Sequence, residues 1–168
     1  MTPLGRQEAR SKMPYMLRST VELDRGLEEV FAFFADASNL EAITPPELKF
    51  RILTPLPIEM APGVQIDYRL SLSGVPFSWR TEIAVWEPGK RFVDRQLSGP
   101  YRLWEHEHRF EALGPARTRV ADVVHYELPF GPLGRLVHPL VRRKLDQIFR
   151  HREGRVAEIL TAGTRARG

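Results

Sequence analysis

The sequence predicts an α+β domain in which a curved, seven-stranded antiparallel sheet wraps around one long C-terminal helix. Three observations carry this reading. Six segments between Leu48 and Leu128 are strand-like and are separated by short turns rich in glycine and proline. A seventh such segment, Met16–Asp24, precedes them and is followed by two short helical stretches. After Leu128, apolar residues recur at i, i+3 and i+4 as far as Leu160. Closely spaced strands with short connections form an antiparallel meander. Such a sheet has one apolar face to cover, and one long amphipathic helix covers it. A sheet of this width curls under its own twist, leaving a hollow against the helix.

The elements follow in order. Residues 1–14 are polar, contain two prolines and a glycine, and read as a flexible extension; residues 15–162 read as the single domain and 163–168 as a flexible tail. Arg25-Gly26 turns the chain after the first strand. Leu27–Ala35 is helical, with Val30, Phe31 and Phe34 on one side. Ser38-Asn39-Leu40-Glu41 caps a second helix, which Thr44-Pro45-Pro46 stops. The next strands are expected at Leu48–Leu53, Val64–Leu72, Phe77–Trp86, Arg91–Leu97, Arg102–Leu113 and Arg117–Leu128. The final stripe comprises Leu136, Leu140, Lys144 or Leu145, Ile148, Phe149, Arg152, Val156, Ile159 and Leu160. Pro139 predicts that the regular helix starts or kinks there, and Gly154 is a second weak point.

Composition narrows the function. The chain of 168 residues is 42% hydrophobic and 27% charged, ordinary for a globular domain. It has no cysteine, which excludes disulfides, thiolate catalysis and cysteine-ligated metal, and fits a reducing compartment. No apolar run approaches the roughly 20 residues of a membrane helix. Arg6, Arg10 and Lys12 are followed by no apolar core, so no secretory signal is read and a cytoplasmic location is expected. The net charge is +4, with much of the excess in Arg142-Arg143-Lys144, Arg150, Arg152, Arg155, Arg165 and Arg167. Arginines on the outer face of a surface helix account for it. No nucleic-acid motif accompanies the charge, so no nucleic-acid partner is expected; weak contact with an acidic membrane surface stays open. Monomer and homodimer are both compatible.

The most informative strand is Trp104-Glu105-His106-Glu107-His108-Arg109-Phe110. Alternate side chains of a strand leave by opposite faces. Glu105, Glu107 and Arg109 form a water face, while Trp104, His106, His108 and Phe110 form the other. Two histidines between large aromatics suit the wall of a partly polar cavity. The same count on Arg117–Leu128 turns Asp122 and Tyr126 inward with Val120 and Val124. On Arg91–Leu97 it groups Phe92, Asp94 and Gln96, and on Phe77–Trp86 it groups Phe77, Trp79, Thr81, Ile83 and Val85. The interior thus combines a polar set (Asp94, Gln96, His106, His108, Asp122 and Tyr126) with candidate apolar walls in Tyr68, Phe77, Trp79, Tyr101 and Trp104. Phe130–Gly134 is either an entrance segment or a plain loop.

Further local motifs are Asn39-Leu40-Glu41-Ala42-Ile43-Thr44-Pro45-Pro46, Trp86-Glu87-Pro88, Arg91-Phe92-Val93-Asp94, Gly99-Pro100-Tyr101 and Leu128-Pro129-Phe130-Gly131. With Trp104-x-His106-x-His108-x-Phe110 and the element order, they resemble the helix-grip fold of the START and birch-pollen-allergen-like superfamily, SRPBCC. Within it the chain most resembles the polyketide cyclase/dehydrase-like ligand-binding group, over roughly Tyr15–Leu160. The resemblance implies a pocket for a lipid, isoprenoid, polyketide or aromatic metabolite between sheet and helix. It does not specify a reaction.

Buried carboxylates and imidazoles are costly unless paired. The inward polar set therefore admits four roles. It can be a self-satisfying structural network, or it can orient a bound ligand. It can supply acid–base catalysis of cyclase, dehydratase or hydrolase type, with His106 or His108 paired to Asp122. It can also hold a metal, with His106 and His108 donating from one strand face and Asp122 or Asp94 as third ligand. A lone His-x-His is a weak metal signal, so the sequence reading names no metal and no cofactor. There is no nucleophile elbow and no nucleotide-binding glycine motif. The expectation is a binder of a hydrophobic small molecule, with the enzyme as the alternative.

Overall fold

The computed structural model describes residues 13–72 and 74–165. The chain runs β1 (Tyr15–Leu23), α1 (Leu27–Ala35), α2 (Asn39–Ile43), β2 (Arg51–Ile52), β3 (Gln65–Leu72), β4 (Val75–Glu87), β5 (Arg91–Ser98), β6 (Leu103–Gly114), β7 (Arg117–Glu127) and α3 (Pro132–Arg165). One seven-stranded sheet has the order β1-β7-β6-β5-β4-β3-β2, antiparallel throughout. This is the expected helix-grip architecture, with α1, α2 and α3 on the concave side. Most of the N-terminal extension, residues 1–12, and residues 166–168 of the tail lie outside the described residues.

Two apolar clusters fix the helices to the sheet. Leu23, Val30, Phe31, Phe92, Phe110, Val120, Val156 and Leu160 join α1 and the end of α3 to the strands. Leu17, Trp104, Val124, Tyr126, Leu145 and Phe149 join the middle of α3 to β1, β6 and β7. The polar cluster described below lies on the same inner sheet face as both.

Three local expectations change. The strand expected over Leu48–Leu53 shrinks to Arg51–Ile52. Pro46–Leu48 instead forms a 3₁₀ turn that ends with Lys49 in the left-handed region (φ 45°), and Leu48 is buried. In β4 the pairing with β5 shifts between Ile83 and Val85: Ile83 faces Asp94, but Val85 faces Val93. This bulge turns Val85 outward and brings Trp86 inward, opposite Phe92, with ring centroids 5.4 Å apart. The helix begins at Pro132, not at Pro139, after Phe130 and Gly131 turn the chain with positive φ (65° and 50°). Proline is suited to a first helical position, where its missing N–H has no partner to lose.

The helical stripe is also narrower than read. Leu136 and Leu140 are 80% and 71% exposed. At about 100° per residue, Leu140 lies about 140° and Leu136 about 180° around the axis from Leu145. Val141, His138 and Arg152 all fall within about 40° of Leu145 and share its inward face. His138 uses that position to stack on Tyr15 (centroids 3.6 Å) and to lie 3.0 Å from the Tyr126 hydroxyl. No helix among the described residues is long and apolar enough to cross a membrane.

Candidate functional site

Strand register builds the polar cluster. On β5, Asp94 is opposite His106 of β6; across β6, His108 is opposite Asp122 of β7. The side-chain period of two keeps all four on the inner face. Phe92, opposite His108, stacks on its ring at 4.2 Å, and Phe149 of α3 closes on His106 at 5.4 Å. The imidazoles are 3.8 Å apart.

Each histidine bridges the same two carboxylates. His106 Nε2 is 2.9 Å from Asp122 Oδ1, and its Nδ1 is 3.5 Å from Asp94 Oδ2. His108 Nε2 is 3.2 Å from Asp94 Oδ2. His108 Nδ1 is 2.8 Å from Asp122 Oδ1, close enough to pair electrostatically but off the line of a hydrogen bond. His106 and His108 are 4% and 2% exposed.

The electrostatics separate the two rings. Burial pushes the His106 pKa down, reinforced by the neighbouring His108 and only partly opposed by the carboxylates. His108 feels the same burial, but Asp122 and Asp94 outweigh it and raise its pKa. For both aspartates burial acts upward and is outweighed by the imidazoles, holding Asp94 low and Asp122 lower still. The shared environment thus drives the two rings in opposite directions, His108 towards holding a proton and His106 towards the neutral form.

Asp94, His106 and His108 line an open-mouthed cavity of about 170 Å³ bounded by the sheet, α1, α2 and α3. Its apolar walls include Phe34, Leu40, Ile66, Tyr68, Leu70, Trp79, Phe92 and Trp104. Of the residues predicted for the site, Tyr68, Trp79, Asp94, Trp104, His106 and His108 meet in this cavity. Asp122 stands behind the histidines. Thr81 is buried and donates its hydroxyl to the Arg95 carbonyl at 3.0 Å. Gln96 clamps Tyr101: its Nε2 donates to the Tyr101 carbonyl (2.7 Å), and the Tyr101 N–H donates to its Oε1 (3.3 Å). Tyr101 packs against Trp79 and Trp104, Phe77 is half-buried, and Tyr126 belongs to the cluster under α3.

Sequence reasoning missed the helical side of the cavity, including Phe34, Leu40 and above all Arg152. The Arg152 guanidinium carbon is 5.7 Å from the Phe34 ring centroid, and its Nε is buried with no hydrogen-bond partner among the described residues. Its position in the apolar stripe between Phe149 and Val156 was the signal. Ile66 and Leu70 were legible as well, two residues either side of Tyr68 on β3.

A family model described as a domain of unknown function (DUF8410) matches residues 59–160. The chain belongs to this family. The matched span of the DUF8410 domain covers β3–β7 and nearly all of α3, and so includes Asp94, His106, His108, Asp122 and Arg152. No curated protein matches the chain. Among solved structures, it is similar to the ZhuI aromatase/cyclase from Streptomyces sp. R1128, with 18% identity, a TM-score of 0.73, and 92% of this chain and 98% of that chain covered. TTHA0849 from Thermus thermophilus is 21% identical with a TM-score of 0.66, covering 89% and 99%. A START superfamily protein from Mycobacterium smegmatis is 19% identical with a TM-score of 0.61, covering 86% and 98%. The chain thus has the START-like, polyketide cyclase-like fold.

Proposed function

We propose that this domain binds a hydrophobic small molecule (a lipid, isoprenoid, polyketide or aromatic metabolite) in the cavity between sheet and helices, with a polar end of the ligand turned towards Arg152 and the His–Asp cluster. The observation that carries the proposal is an apolar cavity ending on the His–Asp cluster and on Arg152, a half-buried residue whose buried Nε has no hydrogen-bond partner among the described residues.

The volume sets the scale. A cavity of about 170 Å³ is close to the roughly 150 Å³ of an apolar cavity that holds benzene. The part of the ligand held in the cavity is therefore one ring or a short branched chain. Burying about 150 Å² of apolar surface is worth about 4 kcal/mol before costs, a millimolar affinity. The polar end must then supply much of the useful affinity and most of the selectivity. Calorimetric titration with ring-sized carboxylates, alcohols and plain hydrocarbons tests this: carboxylates should bind tightest. Equal or undetectable binding across the panel would remove the proposal. Among compartments, we favour the cytoplasm, in keeping with the cysteine-free sequence.

A second reading has its own observation. His106 is a pocket-lining imidazole, held neutral by burial and oriented by a carboxylate at 2.9 Å. That is the arrangement of a general base. Two structurally similar proteins are an aromatase/cyclase and a di-domain ARO/CYC. Cyclase or dehydratase chemistry begins with proton abstraction beside a carbonyl, so solvent deuterium should enter an enolisable ketone in wild-type protein and not in His106→Gln. Exchange at equal rates in both would sink it.

A further inference from the structure

We infer that Asp94, His106 and His108 form a mononuclear site for a divalent first-row transition ion, such as zinc, with Asp122 as the carboxylate that holds both histidines from behind. One ligand atom from each of the three lies within 4.8 Å of the others. The Asp94 Oδ2 separations are 3.5 Å from His106 Nδ1 and 3.2 Å from His108 Nε2. Donors about 2.0–2.1 Å from a common ion stand roughly 3–3.4 Å apart in octahedral or tetrahedral geometry, so Asp94 already stands near donor spacing from both rings. Two imidazoles and one carboxylate on one side of the ion leave its remaining positions facing the cavity.

The second ring nitrogens supply an independent argument. A neutral imidazole has one N–H and one lone pair. In each histidine here both nitrogens face a carboxylate, so in any neutral ring a lone pair is aimed at negative charge. If both rings carry their N–H on the Asp122 side, His106 Nε2 hydrogen-bonding it at 2.9 Å and His108 Nδ1 facing it at 2.8 Å off the hydrogen-bond line, both lone pairs point to the side of Asp94. A cation there satisfies all three donors together. A single buried carboxylate orienting two ligating histidines is the outer-shell arrangement that metal sites use. The nitrogen donors favour zinc, ferrous iron or cobalt over magnesium and calcium.

The test uses full-length, untagged protein stripped with chelator, and metal ions alone, so its outcome does not depend on the organic ligand. Titration with Zn²⁺ should give one equivalent bound, Co²⁺ should produce visible ligand-field bands, and Mg²⁺ should not compete. Asp94→Asn, checked for native circular dichroism, should weaken Zn²⁺ binding at least 100-fold. Asp122→Asn should weaken it by about 10–100-fold. The inference is overturned if wild-type protein binds no stoichiometric Zn²⁺, or if folded Asp94→Asn binds it as wild type does. Should Asp94→Asn fail to fold, wild-type stoichiometry and the Co²⁺ bands decide the matter alone.

Discussion

Replacing Asp122 with asparagine preserves the side-chain volume and deletes one buried charge. In the native protein its Oδ1 lies 2.9 Å from His106 Nε2 and 2.8 Å from His108 Nδ1, with no solvent to take its place. Breaking a buried ion pair by neutralising one partner costs about 3–5 kcal/mol. Asparagine can still accept a hydrogen bond from one ring, so the cost falls at the lower end, about 3 kcal/mol. In a domain of this size each kcal/mol moves Tm by about 2–4 °C, giving a drop of about 6–12 °C. The pH dependence carries a second signature. His108 has a raised pKa in the folded state. Its contribution is complete below the unfolded value of about 6.5 and is lost as pH rises through the folded value. Asp122 and His106 have lowered pKa values, so theirs are lost as pH falls, below about 4 and below about 6.5 respectively. Since Asp122 is the strongest upward influence on His108, Asp122→Asn should flatten the alkaline loss of stability. Calorimetric unfolding of metal-free protein across the neutral range measures both effects. A Tm drop below about 2 °C with an unchanged alkaline limb would refute the reasoning.

Arg152→Met keeps the stem of the side chain and removes its charge. It should weaken binding of a ring-sized carboxylate by about 10–100-fold while leaving a neutral analogue within about threefold, by calorimetry. Gly99→Ala places a Cβ within van der Waals overlap of Gln96 Oε1, displacing the clamp on Tyr101; chemical denaturation should show a loss of about 1–2 kcal/mol. Phe149→Ala should cost about 3–5 kcal/mol in the same assay, whereas Leu136→Ala on the exposed face should stay within about 0.5 kcal/mol.

The architecture was legible because strand alternation and helical periodicity each carry burial directly. The His106-x-His108 pattern, counted against Asp94 and Asp122 on the flanking strands, located the polar cluster without any coordinates. Where the reading slipped, something other than local periodicity decided. The bulge after Ile83 exchanges Val85 for Trp86, and a count of two cannot detect an inserted residue. Leu136 and Leu140 look apolar and correctly spaced, but they are out of phase with Leu145. Arg152 was legible by phase and was masked by its charge, since an arginine in a basic helix reads as solvent-facing. Phe34 and Leu40 entered the cavity through helix packing, a tertiary event that no single segment encodes. Asp122 was placed inward correctly, but its position behind the histidines, away from the cavity itself, depends on the strand order and the depth of the sheet.

The central claim is that the cavity is a ligand site, and Leu70 on its wall offers the most direct control. Leu70→Trp fills the hollow while leaving the buried His–Asp cluster untouched. Native mass spectrometry of wild-type and variant protein, each offered the same ring-sized carboxylate, measures occupancy in one experiment. The account predicts a single adduct on wild-type protein and its loss from folded Leu70→Trp. Equal adducts on both proteins, or none on wild type across the ligand panel, would contradict it.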